Sequence, residues 1–218
     1  MKIYTKKGDD GTTGLLFGGR VRKDSAAIEV NGAVDEAQAA LGIARAGAER
    51  GSELDEALVS LERDLWVLMA EVATAPPNQR KLVAGVSLVT EAMVAALEER
   101  IDDLEQRFGM PTEFVVPGGS PTSAALDLAR TVVRRAERLA IGLGADGPAT
   151  GERDATSSDP AGRADDGPDA HEPVRSQVVP YLNRLSDLCW MLARWQEGEH
   201  LLARGASTRK SAAEVQEP

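Results

Sequence analysis

The N-terminal segment 5–13, with the sequence TKKGDDGTT, carries residue types suited to binding a polyphosphate. Gly8 and Gly11 let the backbone turn several N–H groups toward one point, and the threonine hydroxyls and lysine ammonium groups add further donors. Asp9 and Asp10 are able to hold Mg²⁺ through water, because Mg²⁺ usually takes only one or two protein carboxylates besides phosphate oxygens. The order differs from the GxxxxGKS or GxxxxGKT of a P-loop, and segments of this composition also form simple turns, so both interpretations stay open here.

A second group of candidate residues is a row of arginines in the segment 129–138. Arg130, Arg134 and Arg138 are spaced at i, i+4 and i+8, so a helix places them on one face. Like charges on one face repel unless an anion lies opposite, and planar guanidinium groups bind phosphates and carboxylates through several hydrogen bonds. The pattern indicates a phosphate, or a neighbouring subunit's carboxylates, opposite this face. The alternative is a solvated charged face with Glu137 as a partial counter-ion.

A third polar group interrupts an otherwise apolar helical pattern near the C-terminal end. Asn183, Ser186 and Asp187 stand at i, i+3 and i+4 and therefore share one helix face. Such a face binds a ligand or simply caps and solvates the helix, and the pattern does not choose between the two.

Side chains for nucleophilic or metal chemistry are scarce. Cys189 is the single cysteine, and its place in an apolar helical pattern predicts a buried structural thiol. His171 and His200 are the two histidines. A histidine-rich metal site or a Ser-His-Asp triad therefore has almost no side chains to draw on.

The elements that must position these residues are amphipathic helices. Apolar residues recur at i+3 and i+4 steps in five segments, and the joins between most of them are short. The predicted helices run from Ser25 to between 47 and 51, from the N-cap Ser52 to Pro76, from Ser87 to Arg107, from about Ser120 to Leu143, and from about Ser176 to Leu202. Five such helices preceded by a glycine-hinged loop predict an all-α bundle.

The 218 residues provide one domain, predicted over 1–204. The segment 144–173 holds eight acidic residues against two arginines and contains no leucine, isoleucine, valine, methionine, phenylalanine, tyrosine or tryptophan. Nothing in that segment offsets the entropy cost of ordering it. We expect 144–173 to be a disordered acidic insert and 205–218 to be a disordered tail.

Composition excludes several classes of protein. The net charge of −10 argues against general nucleic-acid binding, although the segment 2–23 holds six basic residues against two acidic ones and is suited to meeting an anion. No apolar run approaches the roughly 18 to 20 residues that span a bilayer, and the first residues lack the apolar core of a signal peptide. We expect a cytoplasmic protein that is not inserted in a membrane.

Several blocks, in order, make the chain similar to a known family. They are Tyr4–Thr13, Gly19–Asp24, Val34–Glu36, Phe114–Gly119, 129–138 (ARTVVRRAER) and Tyr181–Asp187. Together these blocks resemble the PduO-like ATP:cob(I)alamin adenosyltransferases (corrinoid adenosyltransferases). Asp127 departs from the pattern, since the family often has a histidine there.

The resemblance implies a ferritin-like five-helix bundle that assembles as a homotrimer with ATP between adjacent subunits. It assigns Phe114 and Asp187 to cobalamin binding, and Asp35 and Arg130 to a salt bridge across the subunit interface. Arg134 and Phe114 would be the catalytic residues. The implied ATP-binding residues are Thr5, Lys6, Lys7, Gly8, Asp9, Asp10, Thr12, Thr13, Lys23, Arg134, Arg135, Glu137, Arg138 and Asn183.

The reaction implied by the resemblance is transfer of the 5′-deoxyadenosyl group of ATP to cob(I)alamin, with Mg²⁺ present and no direct protein ligand to it. Cobalt is itself the nucleophile, and Phe114 would occupy the lower face of the corrinoid, where the axial ligand is removed. An alternative places Phe114 in the core beside Val115. A flavin-type reductase is the implied electron donor, and a B12-dependent mutase is a further partner that the resemblance suggests.

Two other functions compete with this one. A nucleotide-binding regulatory module would keep the fold without the reaction, and a purely structural bundle would bind no nucleotide. Retention of the lysines, the arginines, Asn183 and Phe114 favours the enzyme.

Overall fold

The computed structural model describes residues 3–145 and 176–204, and within them five α-helices form a bundle. The helices are α1 (Ala26–Ala46), α2 (Glu53–Val72), α3 (Glu91–Arg107), α4 (Pro121–Ala145) and α5 (Val178–Glu197), and a 3-10 helix spans Pro76–Lys81. The predicted five-helix bundle is confirmed.

Two of the helix ends that differ from the prediction have a clear local cause. The third helix begins at Glu91 rather than Ser87, because the Ser87 hydroxyl accepts a hydrogen bond from the Val83 N–H in a preceding turn and Thr90 serves as the cap. The fifth helix ends at Glu197, because Gly198 adopts a positive φ of 70°. The chain after Gly198 therefore turns back instead of extending α5 to residue 202.

The helices pack in the order α2, α1, α4, α5, α3, with α4 between α1 and α5. Arg107 on α3 closes this ring, since its two Nη atoms lie 2.6 Å and 2.8 Å from the carboxylate oxygens of Glu53 on α2. Eight buried residues of α1 and α4, which pack directly against each other, are alanines: Ala33, Ala37, Ala40, Ala44, Ala125, Ala129, Ala136 and Ala140. Small side chains let these two helices approach closely, and leucines of α2 and α5 fill the rest of the core.

The N-terminal segment is better ordered than the predicted glycine-hinged loop. Strands β1 (Thr12–Gly14) and β2 (Arg20–Arg22) pair as an antiparallel hairpin. The hairpin tip rests on the end of α2, where the Leu16 N–H donates to the Ala73 carbonyl at 2.9 Å. The hairpin is thus attached to one end of the bundle.

The predicted acidic insert and tail fall mostly outside the described residues. Residues 144 and 145 of the predicted insert belong to α4. Residues 146–175 and 205–218 are not described. Among the helices that are described, none is long and apolar enough to cross a membrane.

The N-cap of α2 provides a test of the local folding signals. The Ser52 hydroxyl accepts a hydrogen bond from the Asp55 N–H at 3.3 Å, as predicted from the sequence, whereas Ser25 caps α1 without such a bond. We expect Ser52→Ala to lower the free energy of unfolding by about 1 kcal/mol. Ser25→Ala is the matched control and should change it little. Urea titration followed by circular dichroism measures both; equal losses would contradict the assignment of the cap.

Candidate functional site

The N-terminal loop is organised around one carboxylate. Asp10 Oδ1 accepts hydrogen bonds from the Thr12 N–H at 2.9 Å and from the Thr12 hydroxyl at 2.8 Å. These bonds, with the nearby Arg20 guanidinium, hold the pKa of Asp10 below its usual value. Asp10 therefore shapes the loop as an anion, and Asp9 is the carboxylate beside it without a hydrogen bond or ion pair in the described part of the chain.

Arg20 joins the two strands of the hairpin, a role that its residue type and spacing in the sequence do not indicate. Its Nε donates to Thr12 Oγ1 at 2.9 Å and its Nη2 donates to the Lys7 carbonyl at 2.5 Å. These hydrogen bonds from Arg20 to Thr12 and Lys7 hold the loop that carries the predicted phosphate-binding residues in its curved shape. The antiparallel register, which pairs Gly14 with Arg20, brings Arg20 to this position.

Lys23 lies against the glycine of the same loop. Its backbone N–H donates to the Gly11 carbonyl at 2.9 Å, and a Cβ built on Gly8 would stand 3.1 Å from Lys23 Nζ. A side chain at position 8 would therefore crowd the ammonium group and displace it by a few tenths of an ångström. The other predicted phosphate-binding residues of the loop differ in exposure. Those before β1 are exposed (Thr5, Lys6, Lys7 and Asp9), and those in β1 are half-buried (Thr12 and Thr13).

The arginines of α4 differ in how far their charge is balanced within the chain. The Arg130 Nε lies 3.5 Å from Asp127 Oδ1, and Arg135 forms an ion pair with Glu36 of α1. Arg134 and Arg138 are exposed, and neither has an ion pair among the described residues; the Arg138 Nη1 donates to the Arg134 carbonyl at 2.9 Å. Arg134 and Arg138 are therefore exposed and not balanced by a carboxylate in the described part of one subunit, which fits both predicted alternatives, a solvated face and a face that meets an anion.

Asn183 belongs to a chain of polar contacts that joins three helices. Its Nδ2 donates to Glu137 Oε1 at 2.9 Å, and its Oδ1 accepts from Arg184 Nη1 at 2.6 Å. Arg184 in turn lies 2.8 Å from Glu98 Oε1 on α3. These contacts fix both the nitrogen and the oxygen of the Asn183 amide beside the arginines of α4. Asp187, one turn further along α5, is exposed.

Phe114 is 88% exposed, so its alternative placement in the core is wrong. Its backbone is nevertheless held: the Ala203 N–H donates to the Phe114 carbonyl at 2.7 Å, and the Val116 N–H donates to the Leu201 carbonyl at 2.8 Å. An exposed aromatic ring on a hydrogen-bonded backbone is suited to covering an apolar face of a ligand.

Asp35 is exposed on α1, and among the residues described its carboxylate has neither a hydrogen bond nor an ion pair. Its predicted partner Arg130 is half-buried on α4 beside Asp127. The two residues do not pair within one subunit, as expected if the salt bridge were to need a second subunit.

The candidate residues form two separate groups in the subunit. In the described ranges no hydrogen bond or ion pair joins the loop 3–23 to the arginines of α4; the loop instead contacts Ala73 and Asn78. A groove between α2, α3 and α5, lined in part by Arg100 and Trp195, contains no predicted site residue. Within one subunit the loop residues and the arginines of α4 therefore stay apart.

The other side chains able to take part in catalysis or metal binding have structural roles or are not grouped as a metal site requires. Cys189 is buried, as predicted, and burial raises the pKa of its thiol to about 12, so it is protonated and unreactive near neutral pH. Residues 3–145 and 176–204 contain no cluster of three or more His, Cys, Asp or Glu side chains able to hold a metal ion. Buried ion pairs at the end of α5, between Arg194, Asp127 and Glu197, were not predicted.

Comparison with known proteins gives a consistent result. The family model described as cobalamin adenosyltransferase matches residues 3–196. The corrinoid adenosyltransferase of Citrobacter freundii is 36% identical over 196 residues, covering 90% of this chain and 95% of that protein. The corrinoid adenosyltransferase of Bacillus subtilis (strain 168) is 33% identical over 197 residues, covering 89% and 86%.

A solved structure extends the likeness to three dimensions. A variant PduO-type ATP:corrinoid adenosyltransferase from Lactobacillus reuteri, complexed with cobalamin and ATP, superposes with a TM-score of 0.72 at 26% sequence identity. The alignment covers 94% of this chain and 97% of that one.

Proposed function

This chain belongs to the cobalamin adenosyltransferase family, and on that premise we propose how its own residues carry out the reaction. The enzyme transfers the 5′-deoxyadenosyl group of ATP to the cobalt of cob(I)alamin, giving adenosylcobalamin and triphosphate. The observation that carries this function is the family match over nearly all of the described chain, at an identity of 36% to a curated corrinoid adenosyltransferase.

The ATP site is proposed to lie between two subunits. The loop around Gly8 and Lys23 supplies phosphate donors from one subunit, while Arg134 and Arg138, which have no ion pair of their own in the described chain, supply charge from the next. This arrangement accounts for the separation of the two groups within one subunit. Asn183 and Glu137, already hydrogen-bonded to each other, complete the partner's side.

A homotrimer is the proposed assembly, and the exposed surface of α1 and α4 supports association of copies. Ile43 and Leu128 on that surface are 60% and 50% exposed, and Asp35 lies on the same helix as Ile43 without an ion pair in the described chain. A second copy would cover these apolar groups and bring Arg130 to Asp35. Sedimentation equilibrium should give three times the chain mass; a monomer would contradict the shared site.

Adenosyl transfer requires no protein nucleophile. The reduced cobalt forms a bond to the C5′ carbon of the ribose, and the bond from C5′ to the triphosphate oxygen breaks, so the triphosphate leaves with the electron pair. Arg134 and Lys23 are proposed to neutralise the negative charge that builds on that leaving oxygen and its phosphates. Mg²⁺ would add positive charge on the same phosphates, and Asp9 is the loop carboxylate available to hold it through water.

Phe114 and Asp187 are proposed to contact the corrinoid. The Phe114 ring is unable to coordinate cobalt and, being exposed on a fixed backbone, is placed to exclude water from the lower face. We assign reduction of the cobalt to a separate flavin-type reductase, infer a cytoplasmic location, and regard a B12-dependent mutase as a candidate recipient of the product.

The direct test is a spectral assay. Purified protein given ATP, Mg²⁺ and chemically reduced cobalamin should convert the cob(I)alamin spectrum to that of adenosylcobalamin, with triphosphate released in equal amount. Binding of ATP without conversion would support a regulatory module instead. Failure to bind ATP would support a structural bundle.

Gly8 allows a prediction specific to the phosphate loop. Gly8→Ala places a methyl group 3.1 Å from Lys23 Nζ, so the ammonium group must move. We expect the KM for ATP to rise on the order of tenfold, since a hydrogen bond to a charged group contributes about 1.5 to 3 kcal/mol. Initial rates at saturating cobalamin measure the effect.

Gly14→Ala is the matched control, because no atom lies within 4 Å of a Cβ at Gly14. It sits in the same hairpin and should leave the KM for ATP nearly unchanged. Equal effects of the two substitutions would show that the loop as a whole, rather than Lys23, had been disturbed.

A further inference from the structure

A buried ionic cluster at the end of α5 is not used by the proposed substrate contacts. Arg194, 2% exposed, lies with Nη2 2.6 Å from Asp127 Oδ2 of α4 and with Nε 3.0 Å from Glu197 Oε2. The side chains of Asp127 and Glu197 are 8% and 2% exposed. Arg130 adds a second positive charge 3.5 Å from Asp127, so two arginines face two carboxylates. Removing charges from water costs free energy, so a buried cluster of this kind contributes little net stability, and its presence points to a second role.

Glu197 connects this cluster to the two chain segments on either side of it. Its Oε1 accepts from the Gly119 N–H at 3.3 Å, just before α4, and its Oε2 lies 3.5 Å from His200 Nδ1, just after α5. A Cβ on Gly119 would stand 2.8 Å from Glu197 Cγ. Because the backbone of Gly119 is not in the left-handed region, the contact with Glu197 explains why glycine stands there.

The two segments that Glu197 joins are the ones that hold Phe114. Residues 114–116 and 201–203 form a short antiparallel ribbon, with hydrogen bonds of 2.7 Å and 2.8 Å and a bridge between Val115 and Leu202. The Phe114 ring itself is 88% exposed, so packing does little to fix it. The position of the ring therefore depends on the ribbon. Both strands of the ribbon approach Glu197 at the same end, where Val116 pairs with Leu201 and where Gly119 and His200 lie next in the chain.

We propose that Glu197, held by Arg194 and Asp127, is a positioning residue for the corrinoid side of the reaction. It contacts no substrate; it acts by fixing the ribbon that carries Phe114. This inference rests on the proposed function, in which Phe114 covers the lower face of cobalamin. Loss of the negative charge removes the ion pair with Arg194 and allows side chain 197 to move away from Gly119 and His200, so the ring no longer keeps one place. The phosphate loop, at the far end of α2, is untouched.

The principal test is Glu197→Gln in the full-length protein. The kcat/KM for cobalamin should fall about 10- to 100-fold, the size of effect that a displacement of about 1 Å produces, with the KM for ATP unchanged. Hydrogen exchange should quicken at the amides of Val116 and Ala203 while those in the core of α1 remain protected. A rise in the KM for ATP, or unchanged exchange at the two ribbon amides, would overturn the proposal.

Gly119→Ala is the second variant, for use if Glu197→Gln folds poorly. It leaves every charge in place and displaces Glu197 by contact alone, so it should reproduce the cobalamin defect in weaker form. Gly142→Ala is its control, since nothing lies within 4 Å of a Cβ there, and it should behave as the wild type. Wild-type cobalamin kinetics in Gly119→Ala would count against the proposal.

A double mutant separates this inference from the function on which it rests. In a Phe114→Ala background, Glu197→Gln should cause little further loss, because both act through the same ring. Multiplicative losses would show that Glu197 acts elsewhere and would overturn the positioning role. If Phe114→Ala alone leaves cobalamin kinetics unchanged, the failure lies instead in the proposed role of Phe114.

Discussion

Arg134→Ala is expected to lower kcat/KM by about 100- to 1,000-fold, the loss typical of removing one preorganised charge donor from a transition state. Arg134 is exposed on α4, has no ion pair in the described chain, and contributes only its backbone carbonyl to a neighbour, Arg138. Removing its side chain therefore costs the fold little. If the guanidinium neutralises charge on the departing triphosphate, the loss should appear mainly in kcat. The cobalamin conversion assay at varied ATP measures it.

Two controls make the Arg134 result specific. Arg63→Ala removes an exposed guanidinium from α2, away from both candidate groups, and should keep wild-type rates. Arg134→Lys keeps the charge without the planar geometry and should recover only part of the activity. Loss of helical circular dichroism in Arg134→Ala, or activity close to the wild type, would remove Arg134 from the catalytic residues.

Arg194→Met should lower the free energy of unfolding by about 3 to 5 kcal/mol, because it leaves the buried carboxylates of Asp127 and Glu197 without their shared cation. Arg194 is 2% exposed and lies within 3.0 Å of both carboxylates. Methionine fills much of the same volume, so the loss reports charge more than packing. Urea unfolding followed by circular dichroism measures it.

Arg184→Met is the matched control on the same helix. Arg184 also pairs with a glutamate, Glu98, at 2.8 Å, but the two side chains are 41% and 47% exposed. Exposed pairs contribute about 0 to 1 kcal/mol, so the control should lose far less stability. Similar losses in the two variants would show that burial of the Arg194 cluster does not carry the predicted energy.

Local signals in the sequence were sufficient for much of the fold. Ser52 was predicted as an N-cap and forms the bond expected of one. Cys189 was predicted to be buried and is. The prediction for α5 was too long. The helix ends at Glu197 because Gly198 follows it, and the periodicity of apolar side chains gives no signal for that glycine. Capping and periodicity depend on neighbours a few residues apart, which is why they were readable.

Contacts between segments that are far apart in the chain could not be predicted from such local patterns. Arg194 and Asp127 are 67 residues apart, and Arg20 reaches back across a hairpin to Lys7 and Thr12. The sequence singled out Asp127 only as a departure from the family pattern. Its partner Arg194 lies on α5 and is brought to Asp127 only by the packing of α4 against α5.

Residue type and short spacing are sufficient to indicate the helical periodicity, the glycine-rich and basic composition of the N-terminal loop and the family blocks. Only the packing of the helices shows which arginines are balanced: Arg135 pairs with Glu36 and Arg130 lies beside Asp127, while Arg134 is without an ion pair in the described chain. Charge balance depends on distance in space, and a spacing of four residues places side chains on one helix face without specifying what the neighbouring helix brings to it.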